Sequence, residues 1–231
     1  MKLLMIATSH AGLCALGHPT GLWLEELAVP YYAFVGAGYE VTIASVKGGQ
    51  VPLDPLGLEL VLETPEEVGR FIVDPRARDL IAASSTLADL DASGAADRFQ
   101  AAFLPGGYGA MFDLPDCLPL GRILAQMLAG GRLIGAVGHG LAGLISARDV
   151  SGQPAIAGRR LTCFSNAEEA ALGLCDYVPF LLETRVCELG ATVQTGPEFK
   201  AFVCRDGNLI TGQNPASTKL VAEGMLGILR E

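Results

Sequence analysis

A chain of 231 residues, half of them hydrophobic, is long enough to bury a full core, and nothing in that length requires a second domain. Lys and Arg number 16 against 25 Asp and Glu, and the formal charge of -9 argues against a nucleic-acid partner, because phosphate-backbone binding rests on clustered cations. Six cysteines without a CxxC pair argue against a disulfide framework or a zinc site, and three histidines without close pairing argue against any metal.

The opening run MKLLMIATSH reaches Thr8, Ser9 and His10 too early for a secretory signal and reads as a buried strand over Leu3 to Ala7. A helix is predicted from about Gly21 to Ala37, then a strand from Glu40 to Ser45. Lys47 to Asp91, richer in Pro, Asp and Glu and weakly periodic, reads as an insertion over one sheet edge within a single domain spanning 1–231. Further strands are predicted over Ala101–Leu104, Leu133–Val137 and Leu161–Phe164, with helices through Gly121 to Leu128 and from His139 to Ala147. The apolar stretch from Leu118 to Ala147 is interrupted by Arg122, Arg132, His139 and glycines, so no membrane span is expected and the protein is placed in the cytoplasm. Asp206-Gly207 between two apolar runs predicts a hairpin, and a last helix runs from Ser217, as N-cap, to Leu229. Short apolar runs alternating with helical patterns predict an α/β three-layer sandwich, a mostly parallel central sheet with helices on both faces.

In such a sheet the functional crevice lies beyond the carboxyl ends of the strands. Pro105, Gly106, Gly107 and Tyr108 follow one strand; paired glycines there let backbone N–H groups face a ligand, although a plain glycine turn is the competing reading. LIGAVGHGLAGL is a strand, a sharp turn and a helix in quick succession, which lifts one residue into the crevice, and that residue is Gly138. His139 follows it. Glu25 and Glu26 sit early in the first helix, after a loop holding His10, Cys14 and His18. Acids there usually complement the helix dipole, but one facing the crevice would have a raised pKa and could exchange protons. No dinucleotide fingerprint, phosphate loop or other cofactor signature is present, and no cofactor is expected.

TGLWLEELAVPYYAF, LPGGYGAMFDLPD, AVGHGLAGL, FSNAEEAALGL, VPFLLE and LITGQNPAS together resemble the ThiJ/PfpI superfamily, and more closely its heat-shock-chaperone and glyoxalase III branch. The resemblance runs along the whole chain and implies a flavodoxin-like, class I glutamine amidotransferase-like fold and a homodimer. It further implies a glutamate at Glu26, a histidine at His139, an acidic partner at Glu169 or its neighbour Glu168, and a cysteine nucleophile at the position that Gly138 occupies. Family members use that thiolate on methylglyoxal-like aldehydes without glutathione; others are described as deglycases, chaperones, proteases or hydratases. Val29 and Tyr108 stand where close relatives have histidine, and Leu141 where they have proline. Four departures in one pocket read as natural divergence.

Three functions follow as expectations. The first is an enzyme working by non-covalent acid–base catalysis, of lyase, isomerase, hydratase or cyclase type, on a relatively large, apolar carbonyl compound, with Glu26, His139, Tyr108 and Glu169 as its groups. Gly106, Gly107, Gly138, Val29, Leu141, Cys14 and His18 would then line the crevice. The second is a catalytically silent binding or chaperone-like protein, or an inactivated glyoxalase or deglycase. In the third the nucleophile has moved to Cys14 or Cys163.

Overall fold

The computed structural model describes residues 1–13, 17–59 and 65–230. Among them the principal sheet has seven strands, in the order Val203–Asp206, Leu209–Gly212, Leu133–Val137, Ala101–Leu104, Lys2–Ala7, Glu40–Ser45 and Ser85–Thr86. All neighbours run parallel except the terminal hairpin pair. Its strands alternate strictly between two cores, as a parallel sheet covered on both sides requires. Leu4, Ile6, Ala102, Leu104, Ile134 and Ala136 point to one face, covered by helix Leu118–Ala129 through Leu120, Ile123, Leu124 and Met127. Leu3, Met5, Ala101, Phe103 and Leu133 point to the other, under helices Leu24–Gly36 and Thr218–Leu229. The protein is therefore the mostly parallel α/β sandwich that its sequence predicts.

From the central strand Lys2–Ala7 the chain winds one way to Glu40–Ser45 and, later, the other way through Ala101–Leu104 to Leu133–Val137. That reversal is the topological switch point where open α/β sheets form their crevice. Between the two halves, the stretch read as an insertion holds helices Pro55–Glu59, Glu66–Val73, Pro75–Ala82 and Leu87–Ala92 together with the edge strand Ser85–Thr86. Asp74 ties this stretch to the first helix: it caps Pro75–Ala82 by accepting from the Arg76 and Ala77 N–H groups, and it also accepts from the Tyr32 hydroxyl at 2.9 Å.

Five local expectations are corrected. The first helix begins at Leu24 rather than Gly21, because Leu22 N–H is held by Pro52 and Trp23 N–H by Gly106. The strand expected over Leu161–Phe164 shrinks to Arg160–Leu161, paired with Thr192–Val193 outside the principal sheet; Thr162 N–H already turns to the Thr211 hydroxyl at 2.8 Å. His139–Ala147 is not an α-helix but a 3-10 segment over Gly138–Leu144, in which three glycines lower helix propensity and admit close packing instead. Ser217 stands at the N-cap position of the last helix as expected, but its hydroxyl makes no capping hydrogen bond and instead accepts from Phe202 N–H and donates to Asn214. The hairpin turn is Gly207-Asn208, with Gly207 at φ 57, one residue later than Asp206-Gly207. No helix among the described residues is long and apolar enough to cross a membrane.

Gly140 fixes how closely the 3-10 segment approaches the preceding strand: a Cβ on it would lie 2.2 Å from the Leu104 carbonyl oxygen, a backbone atom that cannot swing aside. Gly140→Ala is therefore expected to lower stability by about 1–3 kcal/mol, read from urea unfolding.

Candidate active site at the strand ends

The first site residue comes from helix Leu24–Gly36, whose opening turn is pinned to the loop after Ala101–Leu104 by Trp23 N–H donating to the Gly106 carbonyl at 3.3 Å. This places the Glu26 side chain, 2 % exposed, against that loop, where the Gly106 N–H donates to its Oε2 at 2.6 Å. Burial, which disfavours the charged form, pushes the Glu26 pKa up to about 8; the Gly106 N–H pulls it down and the neighbouring Glu25 adds to the rise. Glu26 thus holds its proton at neutral pH. Since Oε2 accepts from Gly106, the proton belongs on Oε1.

Oε1 faces the sharp turn. Gly138 has φ 54, the left-handed conformation of a strand-to-helix elbow, and a Cβ on it would lie 3.1 Å from Glu26 Oε1. The elbow and the protonated acid are therefore adjacent. Gly107 explains the paired glycines: at φ 96, a Cβ there would lie 2.3 Å from the Gly21 carbonyl oxygen, and one on Gly106 2.8 Å from Glu26 Oε2. The expectation that both N–H groups face a ligand is corrected at Gly106, whose N–H is taken by Glu26.

A second cluster joins the next residue in the chain. The buried carboxylate of Glu169 accepts the Tyr108 hydroxyl on Oε1 at 2.7 Å and meets His139 Nε2 on Oε2 at 2.9 Å. Nε2–H donates in the tautomer that leaves both carboxylate oxygens as acceptors, and Nδ1 is then the ring's acceptor. Burial first, then the charge of Glu169, raise the Tyr108 pKa, so it remains a phenol that orients Glu169. The Tyr108 and Phe164 rings each lie 4.5 Å from the His139 ring.

Of the two candidates for the acidic partner, the structure selects Glu169. Glu168 forms a capping box with Ser165 at the start of helix Asn166–Ala171 and also accepts from Asn214 Nδ2 at 2.7 Å and Phe199 N–H at 2.8 Å. These hydrogen bonds hold its pKa below the ordinary value despite its burial. The S-x-x-E spacing of Ser165 and Glu168 was the sequence signal for this role. Phe164 and Phe199 carry no such signal.

Other expected pocket residues lie elsewhere. Val29 lines a hollow of about 440 Å³ with Tyr32, Arg70 and Lys219, between the first helix and its neighbours. Leu141 is fully buried in the core beside the sheet. Both were expected to line the crevice; Val29 instead lines that separate hollow, and Leu141 packs into the core. His18 is exposed in a two-residue strand paired with Gly12–Leu13. Cys163 is buried in the core, where desolvation raises its pKa well above that of an ordinary thiol, so it is no relocated nucleophile. Cys14 lies outside the described residues. His10, not singled out as a site residue, stacks on Phe112 with ring centroids 4.5 Å apart.

The model of the DJ-1/PfpI family matches residues 20–226. A glutathione-independent glyoxalase of Schizosaccharomyces pombe is 28 % identical, over 98 % of this chain and 95 % of the relative. Among solved structures, the 24 kDa rapid encystment protein of Francisella tularensis superposes with a TM-score of 0.92 at 33 % identity, over 99 % of this chain and 98 % of its own. Glyoxalase III of Candida albicans does so at 0.88 and 25 %, over 98 % and 96 %.

The buried carboxyl makes a stability prediction. From pH 4.5 to about 8 Glu26 is ionised in the unfolded chain and protonated in the folded one, so the folded state binds the extra proton and stability falls as pH rises through that window. At about 1.4 kcal/mol per pH unit, Glu26→Gln is expected to gain on the order of 3 kcal/mol relative to the parent between pH 5 and 8. Urea unfolding of both proteins at several pH values measures it; a difference independent of pH contradicts it.

Proposed function

This chain belongs to the DJ-1/PfpI family, and we propose that it acts on a carbonyl compound by proton transfer, with Gly138 standing where the family's nucleophile stands. The observation that carries this reading is the placement of Glu26 Oε1 3.1 Å from the place a side chain at 138 would begin, on a carboxyl whose burial favours the protonated form. A substrate carbonyl oxygen entering beside Gly138 meets a ready proton donor. His139 Nδ1, oriented through Nε2 by Glu169 and Tyr108, supplies the base that removes a proton from the neighbouring carbon. Proton delivery to oxygen and removal from carbon together make an enol or enediol, the step common to isomerase, lyase, hydratase and cyclase chemistry. The apolar character of the site rests on Tyr108 and Phe164 rather than on Val29 and Leu141. We place the protein in the cytosol and, by resemblance, as a homodimer; its substrate is a small-molecule carbonyl compound.

The alternative, a glyoxalase or deglycase frame silenced at its elbow, is favoured by 28 % identity to a glutathione-independent glyoxalase along 98 % of the chain. One experiment separates the two readings. Turnover of methylglyoxal and of larger aldehydes and ketones is measured for the parent, Glu26→Gln and Gly138→Cys. Acid–base catalysis predicts a parent activity that declines above about pH 8, as Glu26 loses its proton, and that drops by roughly 10²–10⁴-fold in Glu26→Gln. An inactive parent whose Gly138→Cys variant gains glyoxalase activity establishes the silenced frame instead.

A further inference from the structure

Phe199 is the one non-glycine residue among those described with a positive φ, at 56°. A bulky side chain is strained in the left-handed region, and Phe199, 44 % exposed, is not held there to fill the core. The conformation is imposed from below. Phe199 N–H donates to Glu168 Oε1 at 2.8 Å, and the same oxygen accepts from Asn214 Nδ2, which also donates to the Lys200 carbonyl on the far side of Phe199. Glu168 is buried and fixed by Ser165, one residue before the Glu169 that orients His139. One helix turn therefore sets both the reactive histidine and the strained aromatic.

The ring of Phe199 continues a series that begins at the site. Tyr108 to His139 and His139 to Phe164 are each 4.5 Å between centroids, and Phe164 to Phe199 is 6.5 Å with planes 58° apart. Phe164 is nearly buried, so Phe199 is the outer, solvent-facing member. We propose that Phe199 is a specificity-determining residue, the outer wall of the site, which selects carbonyl compounds bearing a planar aromatic or conjugated group through contact with its ring and that of Phe164. The inference rests on the reading of this crevice as a carbonyl site and adds the substrate class.

The test measures binding, without turnover. Acetophenone and acetone are titrated by NMR into the parent and into Phe199→Gly, with the His139 ring signals reporting on the site. Glycine suits the left-handed backbone, so this variant is expected to fold at least as stably as the parent, which thermal unfolding verifies. An aromatic contact of the usual strength predicts acetophenone binding weakened about 3- to 10-fold in the variant and acetone binding unchanged. Unchanged acetophenone affinity, equal weakening of both ligands, or no response of His139 to acetophenone in the parent overturns the proposal. An inactive parent that shows ring-dependent acetophenone binding refutes the proton-transfer mechanism and leaves Phe199 as the selecting wall.

Discussion

A carboxyl group taken out of water next to a glycine elbow governs the arrangement of this protein's crevice. Placing Glu26 against the Gly106 N–H demands that the first helix start at Leu24, that Trp23 bind the Gly106 carbonyl, and that neither Gly106 nor Gly107 carry a Cβ. The same approach brings Oε1 to the elbow. Ionising such a group without a cation partner is expensive, so the protein keeps it protonated. A neutral acid in a buried setting is a proton donor at the pH where an ordinary glutamate has already given its proton away.

Two adjacent glutamates on one short helix show how position divides labour. Glu168 accepts hydrogen bonds from Ser165, Phe199 and Asn214 and so fixes the helix and the loop against it. Glu169, one residue on, points to Tyr108 and His139. Rigidity at the first residue lends precision to the second, which holds the His139 ring and the Tyr108 hydroxyl in place.

The principal strands were legible because each is a short apolar run flanked by turn residues, and four of them have the boundaries expected to within a residue. The elbow failed as an α-helix for a reason also written in the sequence: Gly140 and Gly143 trade helix propensity for close contact with Leu104, and Gly138 takes the left-handed turn beside Glu26. His139 and Tyr108 were legible as polar residues at strand ends, Glu26 as one of two acids early in the first helix that the resemblance singled out, and Glu169 by the resemblance alone. Val29 was placed in the crevice by resemblance alone, and the residues around it, Tyr32, Arg70 and Lys219, show that it packs toward a different hollow. Phe199 was invisible because its conformation is dictated by Glu168 and Asn214, 31 residues before it and 15 after it in the chain.

The measurement that reaches the centre of this account is the titration of the Glu26 carboxyl itself, followed by its 13C chemical shift and assigned by the loss of that signal in Glu26→Gln. A midpoint near 8 is the result that the buried, Gly106-bound carboxyl predicts. A midpoint near 4.5, the value of an ordinary glutamate, would mean that Glu26 is ionised at neutral pH and would remove the proton donor on which the proposed chemistry depends.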